Sequence, residues 1–134
     1  IYKEDGQTIA YSFPIIGKGL WSTLYGYFAL EPDAKTVRGI TFYSHGETPG
    51  LGAEIEKDWF TSNFVGKNIW DEEEHRLKPV EVVKGKVSDK YSGEEAEYYV
   101  DGISGATMTS KGVTAMIAKE LKVYEPFFSK IRKN

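Results

Sequence analysis

One helical pattern near the C-terminus constrains the fold more than any other feature. Apolar side chains recur at intervals of three and four over residues 109–124, which is the spacing of one face of an α-helix. They are Val113, Met116, Ile117, Leu121 and Tyr124. A helix with one apolar face must bury it against another layer of structure. Pro126 is expected to end or kink this helix, because proline has no backbone N–H and clashes with the preceding turn.

The partner layer is predicted to be a sheet, because the segments upstream alternate with a period of two. Within residues 22–30, Leu24 and Phe28 fall on one face, as in a half-buried strand. Residues 37–44 form a second predicted strand, and Pro32 lies in the turn between the two. We therefore expect an antiparallel hairpin.

Weaker signals divide the rest of the chain. A polar strand or arm is expected at 1–11, a glycine-rich loop at 13–21, a short helix at 53–64, a solvated loop at 71–78, strands at 79–87 and 96–100, and a turn at 89–94. Together these segments predict an α+β fold, with a twisted, mainly antiparallel sheet and helices packed on it.

Composition narrows the class of protein. A chain of 134 residues fits a single domain with a real core. The net charge of -3 and the lack of a basic run disfavour a nucleic-acid partner. The chain has no cysteine, and its two histidines, His45 and His75, are far apart, so we expect no metal site. No apolar stretch reaches the length of a membrane span.

The segment D-G-I-S-G-A-T at residues 101–107 leads directly into the predicted helix. The first N–H groups of a helix are unpaired and carry partial positive charge, which suits a phosphate. Thr107 or Thr109 fits an ordinary helix cap, and either hydroxyl could also be esterified by a phosphate. Gly105 and Ala106 remove bulk from the turn, so a large group could approach the backbone closely.

Two further glycine-rich segments are candidates for a site. H-G-E-T-P-G-L-G at 45–52 predicts a type II-like turn at Pro49-Gly50, with Glu47 either a ligand acceptor or a solvated charge. Residues 17–21 end in Trp21, which could stack near a cofactor or belong to the core. Neither segment has the spacing of a nucleotide-binding loop.

These three segments together resemble a known family. D-x-x-S-G-A-T at 101–107, H-G-E-T-P-G-L-G at 45–52 and G-K-G-L-W-S-T-L-Y-G at 17–26 are similar in order and spacing to the FMN-binding domain of the C subunit of the Na⁺-translocating NADH:quinone reductase. The similarity extends over residues 13–121.

The resemblance implies a covalent flavin and assigns residues to it. FMN would be attached through a phosphoester to Thr107, with Thr109 as the nearby competitor. Asp101 would belong to the consensus recognised by a flavin transferase. The other implied cofactor-binding residues are Ser104, Gly105 and Ala106 around the phosphate, Glu47, Thr48 and Leu51 facing the isoalloxazine ring, and Trp21 close to it.

The implied function is electron transfer within a membrane redox complex, with the other subunits as partners and the flavin as the redox group. Family members carry an N-terminal membrane helix and hold this domain on the periplasmic side of the bacterial inner membrane. Residues 1–134 are therefore expected to be a single FMN-binding domain without that anchor. The alternatives are the equivalent flavin subunit of an Rnf-type ferredoxin-dependent complex and a non-redox module for a small ligand.

Overall fold

The computed structural model describes residues 1–132. The strands are β1 (Tyr2–Glu4), β2 (Gln7–Lys18), β3 (Thr23–Leu30), β4 (Val37–Ser44), β5 (Trp70–Asp71), β6 (Arg76–Leu77), β7 (Glu81–Val82) and β8 (Tyr99–Val100). The α-helices are α1 (Asp58–Thr61) and α2 (Thr107–Arg132). Short 3-10 turns occupy Gly52–Glu56, Ser62–Phe64, Val87–Asp89 and Gly93–Tyr98.

The main sheet is antiparallel and has the strand order β1-β2-β3-β4. Phe13, Phe28 and Ile40 lie side by side across its three long strands and are buried. The predicted hairpin of β3 and β4 is confirmed, as is the α+β class. One small pair, β7 with β8, is parallel and lies before α2 in the chain.

Helix α2 packs along β2, and its apolar stripe closes the core. The buried side chains of Val113, Met116, Ile117 and Leu121 confirm the predicted helical face. Beyond Ala10, the edge of β2 that faces away from β3 has no strand neighbour among the described residues. Side chains of α2 satisfy part of this edge: Glu120 Oε2 accepts the Ile16 N–H at 3.1 Å, and Lys119 Nζ donates to the Ile16 carbonyl at 2.7 Å.

The prediction of a loop over residues 13–21 is wrong for residues 13–18. Residues 13–18 continue β2 and pair with β3. Pro14 is tolerated because it lies in the part of β2 that pairs on one side only, where a missing N–H costs no ladder bond. The glycines at 17 and 19 therefore mark a strand end rather than a loop.

Three other boundaries differ from the prediction. The helix expected at 53–64 divides into two 3-10 turns around the four-residue α1. The strands expected at 79–87 and 96–100 are only two residues long each, because the neighbouring backbone groups form hydrogen bonds with other segments instead. The loop expected at 71–78 contains most of the small β5–β6 hairpin.

Helix α2 is longer at both ends than the periodicity indicates. It begins at Thr107 and continues through Pro126 to Arg132. Pro126 has no N–H to donate to the carbonyl of Lys122, four residues earlier, yet the helix continues past this position. The guanidinium of Arg132 secures the helix end, donating to the Ala34 carbonyl at 2.9 Å and lying 4.3 Å from the Trp70 ring. Within residues 1–132, no helix has the length and apolar character needed to cross a membrane.

Candidate functional site at the start of the long helix

Three segments meet at the first turn of α2: the loop from Gly19 to Ser22, the loop after β4, and the helix itself. These are the same three segments that the sequence singled out. Their close approach depends on small residues, because a Cβ at Gly52 would lie 2.5 Å from Thr109 Oγ1 and 2.9 Å from Glu47 Cβ. The fold therefore assembles one site from segments far apart in the chain.

The carboxylate of Glu47 lies at the centre of this meeting point and is only 5% exposed. Its Oε1 accepts the Leu20 N–H and the Thr109 hydroxyl, both at 2.7 Å. Its Oε2 accepts the Trp21 N–H at 3.0 Å and the Ser22 hydroxyl at 2.7 Å. Of the two interpretations left open by the sequence, a solvated charge is wrong, since these four donors surround the carboxylate.

The hydrogen bonds keep Glu47 ionised. Burial by itself raises the pKa of the carboxyl group, but the donors from Thr109, Ser22, Leu20 and Trp21 outweigh it, so the pKa falls below the ordinary value of 4.5. Glu47 therefore carries a buried negative charge at neutral pH.

His45 supports the same loop through both ring nitrogens. Its Nδ1 accepts the Glu47 N–H at 3.1 Å, and its Nε2 lies 3.2 Å from Glu56 Oε2. An accepting Nδ1 requires the proton on Nε2, where it can be donated to Glu56. The next turn is the predicted type II turn: Gly50 has φ 79° and the Leu51 N–H bonds the Thr48 carbonyl at 3.0 Å. Thr48 itself is exposed.

The two candidate threonines have opposite environments. The Thr109 side chain is buried at 1% exposure, with its hydroxyl committed to Glu47. Thr107 is exposed and lies at the first position of α2. Of the two hydroxyls, only that of Thr107 is therefore open to a reagent from solvent.

The turn before Thr107 has the shape that the sequence predicts. Gly105 has φ 76°, a conformation that favours glycine, and a Cβ there would lie 3.0 Å from Leu51 Cδ2. Ser104 is exposed and Ala106 is buried. Leu51 thus lies directly over the small-residue turn.

An open cleft of about 670 Å³ borders this turn. This volume falls within the range of about 300–1,000 Å³ typical of small-molecule sites. One wall is formed by Ser104, Gly105, Thr107 and Ser110, and the other by residues 83–86, with Trp59 and Asn63 at the side. Lys84, Lys86 and Lys111 add positive charge.

The lining fits a phosphate. Ser110 is 5% exposed, and its hydroxyl has no hydrogen-bond partner among the described residues. A buried hydroxyl without a partner is costly, which favours a ligand oxygen in that position. The start of α2 and the three lysines supply the complementary charge.

Asp101 holds the far wall of the cleft in place. Its Oδ1 accepts the Val87 N–H at 2.8 Å, and the neighbouring Gly102 N–H bonds the Gly85 carbonyl at 2.8 Å. The consensus aspartate thus has a structural contact within this chain, whatever a transferase recognises.

The sequence analysis missed the Ser110 hydroxyl, Trp59 and the wall of residues 83–86 as parts of the site. Their only signal is the basic triplet Lys84-Gly85-Lys86, which is too short to separate from surface charge. Trp21 is 71% exposed, so the alternative that it belongs to the core is wrong. Leu20, Leu51 and Met108 are further exposed apolar side chains on the three segments that meet here.

Within residues 1–132, no group of three or more potential acidic, histidine or cysteine ligands could hold a metal ion. The site instead combines a helix start that suits an anion, the exposed Thr107 hydroxyl, and exposed aromatic and aliphatic side chains. These features define a cofactor-binding domain of α+β class, suited to a ligand with a phosphate and a flat ring.

Comparison with known proteins agrees with this class. The FMN-binding domain model matches residues 19–122, and the chain belongs to the FMN-binding domain family. The resemblance to the C subunit of the sodium-translocating reductase is likewise confirmed by the relatives.

Two curated relatives are named as the C subunit of the Na(+)-translocating NADH-quinone reductase. The protein of Pseudomonas aeruginosa is 42% identical over 117 residues, which are 87% of this chain and 43% of that protein. The protein of Vibrio alginolyticus is 39% identical over 134 residues, 98% of this chain and 50% of that protein. The chain thus spans about half the length of the curated relatives it matches.

Solved structures show the same fold. The C subunit of the reductase from Parabacteroides distasonis has a TM-score of 0.76 and 44% identity, covering 89% of this chain and 56% of that one. NqrC of Shewanella oneidensis has a TM-score of 0.83 and 34% identity, covering 100% of this chain and 59% of that one.

Proposed function

We propose that this domain is the electron-carrying part of a Na⁺-translocating NADH:quinone reductase, with FMN held by a phosphoester on Thr107. The observation that carries the proposal is the contrast between the exposed Thr107 and the buried, hydrogen-bonded Thr109. The names of the relatives favour this reductase over an Rnf-type complex.

When bound, the flavin supplies the redox chemistry, and the protein supplies binding and orientation. Thr107 would provide the oxygen of the ester: as its bond to phosphorus forms, the bond from phosphorus to the leaving group of the activated donor would break and the hydroxyl proton would be released. The Ser110 hydroxyl and the N–H groups at the start of α2 would bind the phosphate, and Lys84, Lys86 and Lys111 would balance its charge. Leu20, Trp21, Leu51 and Met108 offer apolar surface to the ring.

The proposal extends to maturation and place in the cell. A flavin transferase attaches the FMN from an activated donor, with Asp101 in the segment it recognises. The domain lies on the periplasmic side of the inner membrane, anchored by a membrane helix of the full-length protein, and exchanges electrons with the other subunits.

The test is co-expression with a flavin transferase, followed by intact mass and peptide mapping. We expect a mass gain of FMN less water, located on Thr107. Thr107→Ala should abolish the gain and leave the fold intact, because the side chain is exposed and substitutions at exposed positions usually change stability by about 0.5 kcal/mol or less.

Thr109→Val is the matched control, because it removes the other hydroxyl at nearly equal volume and should still acquire flavin on Thr107. Flavin retained in Thr107→Ala would place the ester elsewhere. An unmodified wild-type chain, beside a known acceptor that is modified in the same cells, would leave the non-redox ligand module as the better interpretation.

A further inference from the structure

Glu47 is the only acidic side chain among the described residues that is buried. A buried charge is costly unless hydrogen bonds compensate for it, and here four donors do so. Such an arrangement must serve the surrounding structure, because the carboxylate oxygens have little capacity left for a ligand.

The four donors come from two separate parts of the chain, the loop of residues 20–22 and the first turn of α2. Leu20 and Trp21 contribute backbone N–H groups from the loop between β2 and β3, and Ser22 contributes a hydroxyl next to β3. Thr109 contributes a hydroxyl from the first turn of α2. The carboxylate therefore joins the Leu20–Trp21 loop to the helix that carries Thr107.

The close packing around the junction requires glycine at two positions. A Cβ at Gly19 would collide with the Glu47 carboxylate, and one at Gly52 would collide with the Thr109 hydroxyl. Ser22 is held from a second side, because its hydroxyl accepts the Gly46 N–H at 2.7 Å. Both ends of the junction are thus fixed by packing as well as by hydrogen bonds.

We propose that Glu47 is a positioning residue: its carboxylate fixes the Leu20–Trp21 loop on the first turn of α2, so that Trp21 stands beside a flavin carried on Thr107. This inference rests on the proposed function for the flavin, but the junction itself exists without it. Only a carboxylate serves, because a carboxamide has one acceptor oxygen and its NH₂ group would face donors.

The first test uses the flavin-free chain and measures amide hydrogen exchange by NMR. Glu47→Gln should speed exchange at the Leu20 and Trp21 amides by about tenfold or more, because local opening no longer breaks charge-assisted bonds. Asp58→Asn is the matched control, since it neutralises an exposed carboxylate of the same region that does not contact His45 or Glu47, and it should leave these amides unchanged.

Exchange at Leu20 and Trp21 within about twofold of the wild type, in a folded Glu47→Gln chain, would overturn the proposal. If that variant does not fold, Thr109→Val replaces it. This change does not alter either amide directly, but it removes the hydrogen bond between the helix and the Glu47 carboxylate, so exchange at both amides should still become faster. Unchanged exchange in Thr109→Val would then overturn the proposal.

The second test uses the flavin-loaded chain and measures flavin fluorescence, which a neighbouring tryptophan quenches. Trp21→Phe should raise the emission about twofold or more, Glu47→Gln should raise it similarly, and the double variant should add little, because both act through one contact. Unchanged emission in either single variant would overturn the proposal. Absence of covalent flavin in the wild type would instead count against the proposed function and leave the exchange experiment standing.

Discussion

At the scale of single residues, the ionisation of Glu47 makes the stability of the domain at acid pH depend on the junction at the candidate site. Its folded-state pKa lies below 4.5, so the carboxylate stabilises the fold above the pH at which it titrates when unfolded. That stabilisation is lost as the pH falls through the lower, folded-state pKa. The acid limb of the stability profile should therefore report on the junction between the loops and α2.

We predict that Glu47→Gln lowers the free energy of unfolding at pH 7 by about 2–4 kcal/mol, because it leaves buried donors without acceptors. The difference from the wild type should shrink progressively below pH 4.5, where the wild type loses its own charge. Urea unfolding followed by circular dichroism at several pH values checks this. A difference independent of pH would contradict the assignment, and the control Asp58→Asn should change the free energy of unfolding very little.

Asp101 has two possible tasks, and one pair of variants separates them. Asp101→Ala removes the acceptor for the Val87 N–H and should cost about 1–2 kcal/mol, whereas Asp101→Asn keeps an acceptor oxygen and should cost about 0.5 kcal/mol or less. Thermal unfolding gives both values. The covalent attachment of FMN by the transferase is then compared between the two variants. If Asp101→Asn has normal stability but no longer acquires FMN, the transferase recognises the negative charge. If only Asp101→Ala fails to acquire FMN, the role of Asp101 is to hold the cleft wall in place.

At the scale of elements, the contact between α2 and the end of β2 depends on a glycine. A Cβ at Gly112 would overlap the Lys18 carbonyl oxygen, so the helix can lie this close only without a side chain there. The position is an ordinary helical one, where alanine normally stabilises by about 1 kcal/mol.

We therefore predict the opposite sign for Gly112→Ala, a loss of about 1–3 kcal/mol from overpacking against backbone. Ala115→Gly, at an exposed position of the same helix, is the control and should cost about 1 kcal/mol through propensity alone. Urea midpoints of the two variants decide the matter. A stabilised Gly112→Ala would show that α2 does not lie against Lys18.

The elements also show which signals the sequence carried. Local periodicity was enough for β3, β4 and the buried face of α2, because each has one apolar face against the core. It failed for residues 13–18, where glycine and proline suggest a loop but pairing with β3 and side chains from α2 hold a strand. The three motifs could be found by pattern, but not the inward direction of Glu47 or the orphaned Ser110 hydroxyl, which exist only once distant segments meet.

At the scale of the whole molecule, one core connects the site to both ends of the described chain. The buried cluster extends from Phe13 in β2 to Phe128 near the end of α2. The β5–β6 hairpin contacts this cluster through Leu77, and the Arg132 guanidinium adds a second link by stacking on Trp70 and donating to the Ala34 carbonyl. A helix that begins at the cofactor site thus ends on the far hairpin.

This continuity predicts a single cooperative unfolding transition. The chain has three tryptophans, so the Trp21→Phe, Trp59→Phe double variant leaves Trp70 as the sole reporter of the hairpin. Its fluorescence transition in urea should coincide with the loss of helical circular dichroism, as two-state unfolding requires. Gly112→Ala, which acts at the opposite end of α2, should shift both curves by the same amount. Two results would contradict this prediction: a Trp70 transition at lower urea than the helical one, or a Trp70 transition that Gly112→Ala does not shift. Either would mean that the hairpin and the candidate site unfold as separate units, and that the contacts of Arg132 do not couple them.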